Sequence, residues 1–247
     1  MSLRAVRRAV ALAFVLVLCV FRFWWMRLRG PMTLERRALW VQSCSLLILT
    51  SLGIRRRVEG QPPTRGLVVS NHLSYLDILI ISSAMPCFFV AKIEIGGWPY
   101  FGRAAGAGGT IFLDRSSMAS AMTVADKISE RLKLPVPVLL FPEGTSTDGS
   151  RVWRFHSRLI DPATSVGAPI TAASVRYVVA DGTPERELCW FGDAPFLPHQ
   201  WKALGPAGFT AEGQFGEPQI YPDRRIAADA THDEIAAMRC QEALVLQ

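Results

Sequence analysis

The 247-residue chain has few cysteines, few histidines and few charged residues, and each shortage excludes a class of protein. Its five cysteines form no C-x-x-C pair, and its four histidines form no H-x-x-x-H or H-E-x-x-H pair, so neither a disulfide scaffold nor a zinc site is predicted. Hydrophobic residues make up 50% of the chain, which excludes a disordered protein. The G-x-S-x-G nucleophile elbow and the G-x-x-x-x-G-K-[ST] phosphate loop are also missing. These absences leave an apolar, globular chain suited to a reducing compartment.

The positive charge of the chain lies in its first 60 residues. This segment has eleven arginines, no lysine and two glutamates, whereas residues 61–247 have 16 basic and 19 acidic residues. The arginines flank two apolar runs, Ala9–Phe21 and Ala38–Ile54, which contain 13 and 17 uncharged residues. Arginines beside apolar segments favour anionic membrane lipids, and not nucleic acid, as the partner.

The two apolar runs predict a membrane anchor. Thirteen helical residues reach about 20 Å at about 1.5 Å each, short of the roughly 30 Å hydrocarbon core of a bilayer. Arginines before, between and after the runs resist translocation, which favours a monotopic helical hairpin on the cytoplasmic face of the cell's inner membrane over one or two full spans. A cleaved signal peptide over residues 1–25 is the alternative, although no small-x-small site follows Phe21. We therefore expect an N-terminal membrane-anchoring hairpin over residues 1–60 and a second domain over residues 61–247.

Beyond residue 60, short apolar runs alternate with longer helical patterns. This alternation predicts a layered α/β domain with a mostly parallel or mixed sheet flanked by helices. The predicted strands are Leu67–Ser70, Phe88–Ala91, Thr110–Leu113, Val136–Phe141, Ile170–Val175 and Leu188–Phe191. The predicted helices are Asp77–Met85, Met118–Leu132 and Asp233–Leu246. In such sheets the chemistry lies in loops at the carboxyl ends of the strands.

His72 and Asp77 follow the first predicted strand. A continuous helix would hold residues five positions apart at an angle of about 140°, so the two side chains can meet only across a turn. Ser74, three residues before Asp77, is a helix-start signal that leaves His72 in the loop and Asp77 in the first helical turn. Asp77 can then hold one ring nitrogen while the other acts as a base. Plain helix capping by Asp77 and an ordinary loop histidine are the alternatives.

Two further strand ends carry polar groups. The segment Phe141-Pro142-Glu143-Gly144-Thr145-Ser146 offers backbone N–H groups, hydroxyls and a carboxylate, and can bind an anion or a polyol. Arg115 follows the strand predicted over Thr110–Leu113, and arginine is suited to bidentate phosphate recognition. A surface turn and a solvated charge are the respective alternatives.

In this order and spacing, Asn71-His72 to Asp77 and Phe141-Pro142-Glu143-Gly144-Thr145 resemble the glycerolipid acyltransferase family, whose histidine and aspartate form an HX4D motif. The likeness covers roughly residues 60–220 and is greatest to the 1-acylglycerol-3-phosphate acyltransferase branch. It implies that His72 is the general base and Asp77 its orienting partner. It also implies that the acceptor's polar head is bound by Arg115, Glu143, Gly144, Thr145 and Ser146.

The resemblance also implies a reaction. A fatty acyl group passes from the thioester of acyl-CoA or acyl carrier protein to the free hydroxyl of a lysolipid, without a cofactor or a metal. The acceptor expected first is 1-acyl-sn-glycerol-3-phosphate, which gives phosphatidic acid in phospholipid biosynthesis. A thioester hydrolase and a catalytically silent lipid-binding membrane protein are the alternatives, although the presence of both His72 and Asp77 argues against a silent protein.

Departures from the family pattern lie where the acceptor head is expected. Ser146 replaces an arginine that many members carry, and Phe155-His156-Ser157-Arg158-Leu159 replaces the common Phe-Lys-x-Gly. These differences favour the branch that acts on lyso-ornithine lipids or other lysophospholipids. Arg151, Arg154 and Arg158 are candidates to replace the missing arginine, with a solvated basic segment as the alternative.

Overall fold

The computed structural model describes residues 3–114, 118–204 and 208–245. The helices in this part are α1 (Leu3–Leu28), α2 (Leu34–Leu52), α3 (Leu76–Ala84), α4 (Ile93–Gly96), α5 (Phe101–Gly108), α6 (Met118–Leu132), α7 (Asp161–Ser165), α8 (Phe196–Leu204) and α9 (Arg224–Val245). The strands are β1 (Arg55–Glu59), β2 (Leu67–Ser70), β3 (Phe88–Lys92), β4 (Ile111–Leu113), β5 (Val138–Leu140), β6 (Ile170–Val179) and β7 (Phe209–Phe215).

The strands form one mixed sheet with the order β1-β7-β6-β2-β5-β3-β4. Strands β2 to β6 run parallel to one another, β7 is antiparallel to β6, and β1 pairs in parallel with β7. Strand β2 is central, and Leu67, Val68 and Val69 have no exposed surface. The mostly parallel or mixed α/β sheet predicted from the sequence is confirmed.

Side chains on β2 alternate between two packed faces. Val68 packs with Ile80 and other residues of α3, whereas Val69 packs with Ile235 and other residues of α9. Helix α2 lies over α3, where the hydroxyl oxygens of Ser45 and Ser82 are 2.8 Å apart. The sheet therefore separates α3 from the C-terminal helix α9.

The strand predicted over Leu188–Phe191 is wrong. A 3-10 turn, Glu185–Glu187, is followed here by irregular chain in which Leu188 and Cys189 are buried. The backbone N–H of Trp190 donates to the carbonyl of Leu73 at 2.8 Å, so this segment packs on the His72 loop without joining the sheet. Leu188 and Cys189 are buried in the core cluster that contains α3. A short apolar run in the sequence can be either a buried strand or a buried irregular segment, so the sequence alone does not distinguish the two.

Two strands were missed, and one helix starts earlier than predicted. Strand β1 is an edge strand of mostly exposed residues, including three arginines, and it lies before the boundary predicted at residue 60. Strand β7 alternates buried and half-buried residues from Phe209 to Phe215, the pattern of a half-buried strand. Helix α9 begins at Arg224, where Asp223 accepts hydrogen bonds from the backbone N–H groups of Arg225 and Ile226.

The N-terminal residues form two helices joined by a short turn. Thr33 caps α2 by accepting from the backbone N–H of Arg36 at 3.4 Å, and Gly53 ends it in the left-handed conformation. Among the described residues, α1 is the one helix long and apolar enough to cross a membrane. Helix α2 buries Trp40, Cys44 and Leu49 against the rest of the protein.

Candidate active site

Asn71 fixes the chain where β2 ends, directly before His72. Its side-chain nitrogen donates to the carbonyl of Val175 on β6 at 3.1 Å, and its side-chain oxygen accepts from the N–H of Val175 at 2.8 Å. The buried side-chain amide of Asn71 therefore makes the two hydrogen bonds to β6 that the backbone of a neighbouring strand would make. The loop that carries His72 starts from a rigid point of the sheet.

Asp77 contacts His72 across the turn that precedes α3. Nδ1 of His72 lies 2.7 Å from Oδ2 of Asp77, and the same oxygen accepts from the backbone N–H groups of Leu73 at 2.6 Å and Ser74 at 3.0 Å. Asp77 is fully buried, so these donors stabilise its charge in place of water. Nε2 of His72 has no hydrogen-bond partner among the described residues. The pair has the geometry of a base held by an orienting carboxylate.

The imidazole of His72 borders a largely apolar cavity of about 460 Å³. The ring stacks on Phe141 with centroids 4.1 Å apart, and both side chains line the cavity. The rest of the wall comes mainly from helices α1, α2, α3, α5 and α8, with Leu12, Leu16, Ile48, Leu79, Phe101 and Phe196 among its residues. His72 thus borders a space whose wall is mostly apolar.

Glu143 holds the second predicted loop against the first. One carboxylate oxygen accepts from the backbone N–H of His72 at 2.8 Å, and the other accepts from the backbone N–H of Trp153 at 2.9 Å. The backbone N–H of Thr147 in turn donates to the carbonyl of His72 at 2.8 Å. Burial raises the pKa of Glu143, and the two amide donors oppose that shift. Both oxygens of this carboxylate are therefore occupied by main-chain groups.

The remaining predicted site residues fall into two groups. Gly144, Thr145 and Ser146 line the cavity beside His72, and Gly144 has a φ of 75°, which favours glycine at this turn. The backbone N–H groups of Thr145 and Ser146 have no partner in the described part of the chain. Arg115 lies outside the described residues.

Tyr177 on β6 is a contact that the sequence interpretation missed. Its hydroxyl donates a hydrogen bond to Oδ1 of Asp77, the oxygen that does not face His72. Complete burial, together with the nearby charge of Asp77, raises the pKa of Tyr177, so the hydroxyl stays protonated and remains a donor. A tyrosine within the apolar run of β6 was the available signal, because a buried hydroxyl requires a partner.

Arg239 of α9 braces the same region from the opposite face of the sheet. Its guanidinium donates to the carbonyls of Val175 at 2.6 Å and Gly149 at 2.9 Å and pairs with Glu185 at 2.7 Å. Glu185 also accepts from the backbone N–H of Tyr177 at 2.8 Å. The C-terminal helix therefore helps to hold the strand that carries Tyr177.

Comparisons with known proteins find relatives of this chain. Residues 55–176 match the family described as Acyltransferase. The lyso-ornithine lipid O-acyltransferase of Rhodobacter capsulatus is 35% identical over 188 residues, which are 72% of this chain and 68% of that protein. The chain belongs to the acyltransferase family. The 1-acyl-sn-glycerol-3-phosphate acyltransferase of Neisseria meningitidis is 34% identical over 134 residues, 53% of this chain and 52% of that protein.

The fold of this acyltransferase has a solved counterpart. The crystal structure of the 1-acyl-sn-glycerophosphate acyltransferase PlsC from Thermotoga maritima matches with a TM-score of 0.72 and 17% identity, over 98% of this chain and 95% of that one. The class of enzyme predicted from the sequence, an O-acyltransferase, is confirmed by the named relatives.

Tyr177→Phe tests whether the tyrosine hydroxyl tunes the His72–Asp77 pair of this acyltransferase. Removing one donor from a buried carboxylate is expected to lower kcat about ten- to hundredfold, since hydrogen bonds to charged groups are worth about 1.5–3 kcal/mol. The KM for either substrate should stay within about twofold.

Tyr221→Phe is the matched control, since Tyr221 is partly buried against the α9 side of the core and does not contact Asp77. A Tyr177→Phe protein with a lower Tm and an unchanged kcat, measured well below that Tm, would show that the hydroxyl has only a structural role.

Proposed function

We propose that this acyltransferase moves a fatty acyl group from a thioester to the free hydroxyl of a lysolipid, with His72 as the general base. The observation that carries the proposal is the 2.7 Å contact between Nδ1 of His72 and Asp77, which leaves Nε2 open beside an apolar cavity. A base next to an apolar space suits substrates that are themselves acylated.

The reaction follows from this placement. Nε2 of His72 takes the proton of the lysolipid hydroxyl while the hydroxyl oxygen attacks the thioester carbonyl carbon. The resulting tetrahedral intermediate expels the thiolate, and the proton on Nε2 passes to the leaving sulfur, so that an ester and a free thiol are formed. Asp77 stabilises the imidazolium between the two proton transfers. Thr145 and Ser146 line the cavity, and their backbone N–H groups, which have no partner in the described part of the chain, can donate to the oxyanion or to the acceptor head.

For the acceptor we propose a lyso-ornithine lipid. This is supported by the Rhodobacter capsulatus relative and by the lyso-ornithine lipid O-acyltransferase of Rhizobium meliloti, which is 31% identical over 221 residues, 84% of this chain and 72% of that protein. Ser146, in place of the arginine that many members of the family carry, points the same way. The acceptor expected first from the sequence, 1-acyl-sn-glycerol-3-phosphate, is the second candidate because the Neisseria meningitidis relative carries that name.

Helix α1 lies, in our proposal, along one leaflet on the cytoplasmic side. Its exposed residues recur every three or four positions and are mostly apolar; they include Leu3, Val10, Phe14, Val17, Phe21, Trp24 and Leu28. The opposite side of the helix contacts the protein at its middle, where Tyr100 donates to the carbonyl of Leu16 at 3.0 Å and Trp40 donates to the carbonyl of Cys19 at 2.9 Å. A helix attached at its middle to a globular domain is suited to the interface plane and not to a full crossing.

His72→Ala is expected to lower the rate of acyl transfer by roughly 10²–10⁴-fold or more, because no other group replaces the general base. Asp77→Asn should reduce kcat more than it weakens substrate binding, since the orienting charge acts mainly once the imidazole is protonated. The measurement is formation of diacyl product by mass spectrometry, with release of free fatty acid followed in parallel to detect hydrolysis. Asp181→Asn, in an exposed turn, is the control. Near-normal transfer by a folded His72→Ala protein would exclude this mechanism.

Arg115 is tested against two acceptors. If it binds an anionic acceptor group, Arg115→Lys should raise the KM for lysophosphatidic acid and for lyso-ornithine lipid, because lysine keeps the charge but lacks the planar, bidentate guanidinium. Arg115→Ala should raise both KM values further, because alanine lacks the charge as well. The KM for the thioester should not change, and the wild type should show the higher kcat/KM with lyso-ornithine lipid. Arg225→Ala, on exposed surface of α9, is the control. An unchanged KM for every acceptor would make Arg115 a surface charge.

The membrane arrangement is tested by cysteine labelling from outside the cell. In a Cys240→Ser background, Leu28→Cys places a thiol at a position that is 81% exposed, within the connecting segment Arg27–Arg37. We expect a membrane-impermeant maleimide to label it only after the cells are permeabilised, because both helix ends stay on the cytoplasmic side. Labelling in intact cells would instead establish two full spans.

A further inference from the structure

A basic and aromatic segment follows the cavity loop and has no role in the chemistry described above. Residues 150–158 read Ser-Arg-Val-Trp-Arg-Phe-His-Ser-Arg, with three arginines and no acidic residue. Arg151, Arg154 and Arg158 are exposed, and no carboxylate in the described part of the chain pairs with them. Trp153 is 46% exposed between two of these arginines. Exposed indole next to unpaired guanidinium groups is a surface suited to a nucleotide.

The segment is held close to the candidate base. The carboxylate of Glu143 joins the backbone N–H of Trp153 to that of His72 through distances of 2.9 and 2.8 Å. The backbone N–H of His156 also donates to the carbonyl of Pro142 at 2.8 Å. The backbone of Trp153 is thus linked to that of His72 through the carboxylate of Glu143 alone. Hydrogen bonds at Trp153 and at His156 hold this part of the segment in place.

The segment lies on the α9 side of the protein, away from the proposed membrane helix. Phe155 is buried in the cluster that contains α9 residues, and its ring lies 5.3 Å from the ring of His232 on that helix. Nε2 of His232 lies 3.3 Å from the carbonyl of Val152. Helix α1 packs on α2, whose Ser45 and Leu49 lie over α3 on the opposite face of the sheet. Ser146 before the segment and Leu159 after it both line the cavity, so the chain leaves the cavity wall and returns to it on either side of the segment.

We propose that Arg151, Trp153, Arg154 and Arg158 bind the adenine nucleotide end of an acyl-CoA donor. The guanidinium groups bind its phosphates in a bidentate manner, and the indole of Trp153 stacks on the adenine. The flexible pantetheine arm then carries the thioester past Ser146 to His72, and the acyl chain enters the cavity. This assignment rests on the proposed function, and it names acyl-CoA as the donor in preference to acyl carrier protein.

The shared chemistry is phosphate binding, and an acceptor phosphate is the other source of that group. The exposed indole favours the nucleotide, because a lysolipid head group offers no aromatic ring to stack. The position of the segment favours the nucleotide as well, since a lysolipid arrives from the bilayer side, whereas CoA arrives from water.

The direct test is the affinity of the full-length protein for CoA, measured by isothermal titration calorimetry without lysolipid. Trp153→Ala and Arg154→Ala should each raise the Kd of CoA about tenfold. Both variants should raise the KM for acyl-CoA to a similar degree and leave the KM for the lysolipid unchanged. With an S-acyl pantetheine donor, which has no nucleotide, both variants should react as fast as the wild type.

Conservative variants and distant variants serve as controls. Trp153→Phe and Arg154→Lys should keep most of the CoA affinity, because a ring and a charge remain. Trp201→Ala on α8, where the indole is 41% exposed, and Arg225→Ala on α9 should bind CoA as the wild type does.

Three results would overturn the assignment: wild-type CoA affinity in both alanine variants, a rise in the KM for the lysolipid alone, or use of acyl carrier protein with no use of acyl-CoA. The calorimetric measurement does not depend on catalysis. If the protein binds CoA through these residues but acylates no lysolipid, the proposed function fails while the nucleotide site stands.

Discussion

The carboxylate of Asp77 is fully buried. A buried carboxylate is stable as an anion only where hydrogen-bond donors replace water. Its donors come from the loop at His72, from the main chain at Leu73 and Ser74, and from Tyr177 on β6. The loop, the start of α3 and the strand must all be in place before the charge is stabilised. The same contacts that stabilise the buried carboxylate of Asp77 therefore also orient the imidazole of His72.

Glu143 repeats this principle one loop further along the chain. Its buried carboxylate joins the backbone of His72 to that of Trp153, and the carbonyl of His72 accepts from the backbone of Thr147. Both oxygens of Glu143 already accept main-chain hydrogen bonds, which argues against the predicted contact between Glu143 and the acceptor's polar head. Its role in the structure is to fix the spacing between the base and the residues that border the cavity.

The cavity lies between the N-terminal helices and the loops at the strand ends. Leu12 and Leu16 of α1 form part of its wall, so the helix proposed to lie in the membrane also shapes the space beside His72. Gly144, Thr145 and Ser146 border the same space from the sheet. In the proposed reaction, the lysolipid acceptor and the thioester donor meet in this one cavity beside His72.

The two motifs could be identified in the sequence because each of them depends on a short spacing between residues. His72 and Asp77 lie within one turn, Glu143 to Ser146 form one loop, and the alternation of apolar runs with helical patterns indicates the layered sheet, all through contacts between residues near in sequence. Strand β1 was missed because its exposed, arginine-rich edge has no hydrophobic pattern, whereas β7 has a regular alternation that was open to detection. The segment Leu188–Phe191 is apolar because it is buried, and only its packing on the His72 loop distinguishes it from a strand.

Tyr177 lies 100 positions from Asp77 and Arg239 lies 54 positions from Glu185, so their partners follow from the order of strands in the sheet and from the packing of α9. Local hydrogen bonding determines the motif, and long-range packing determines which distant side chains complete it.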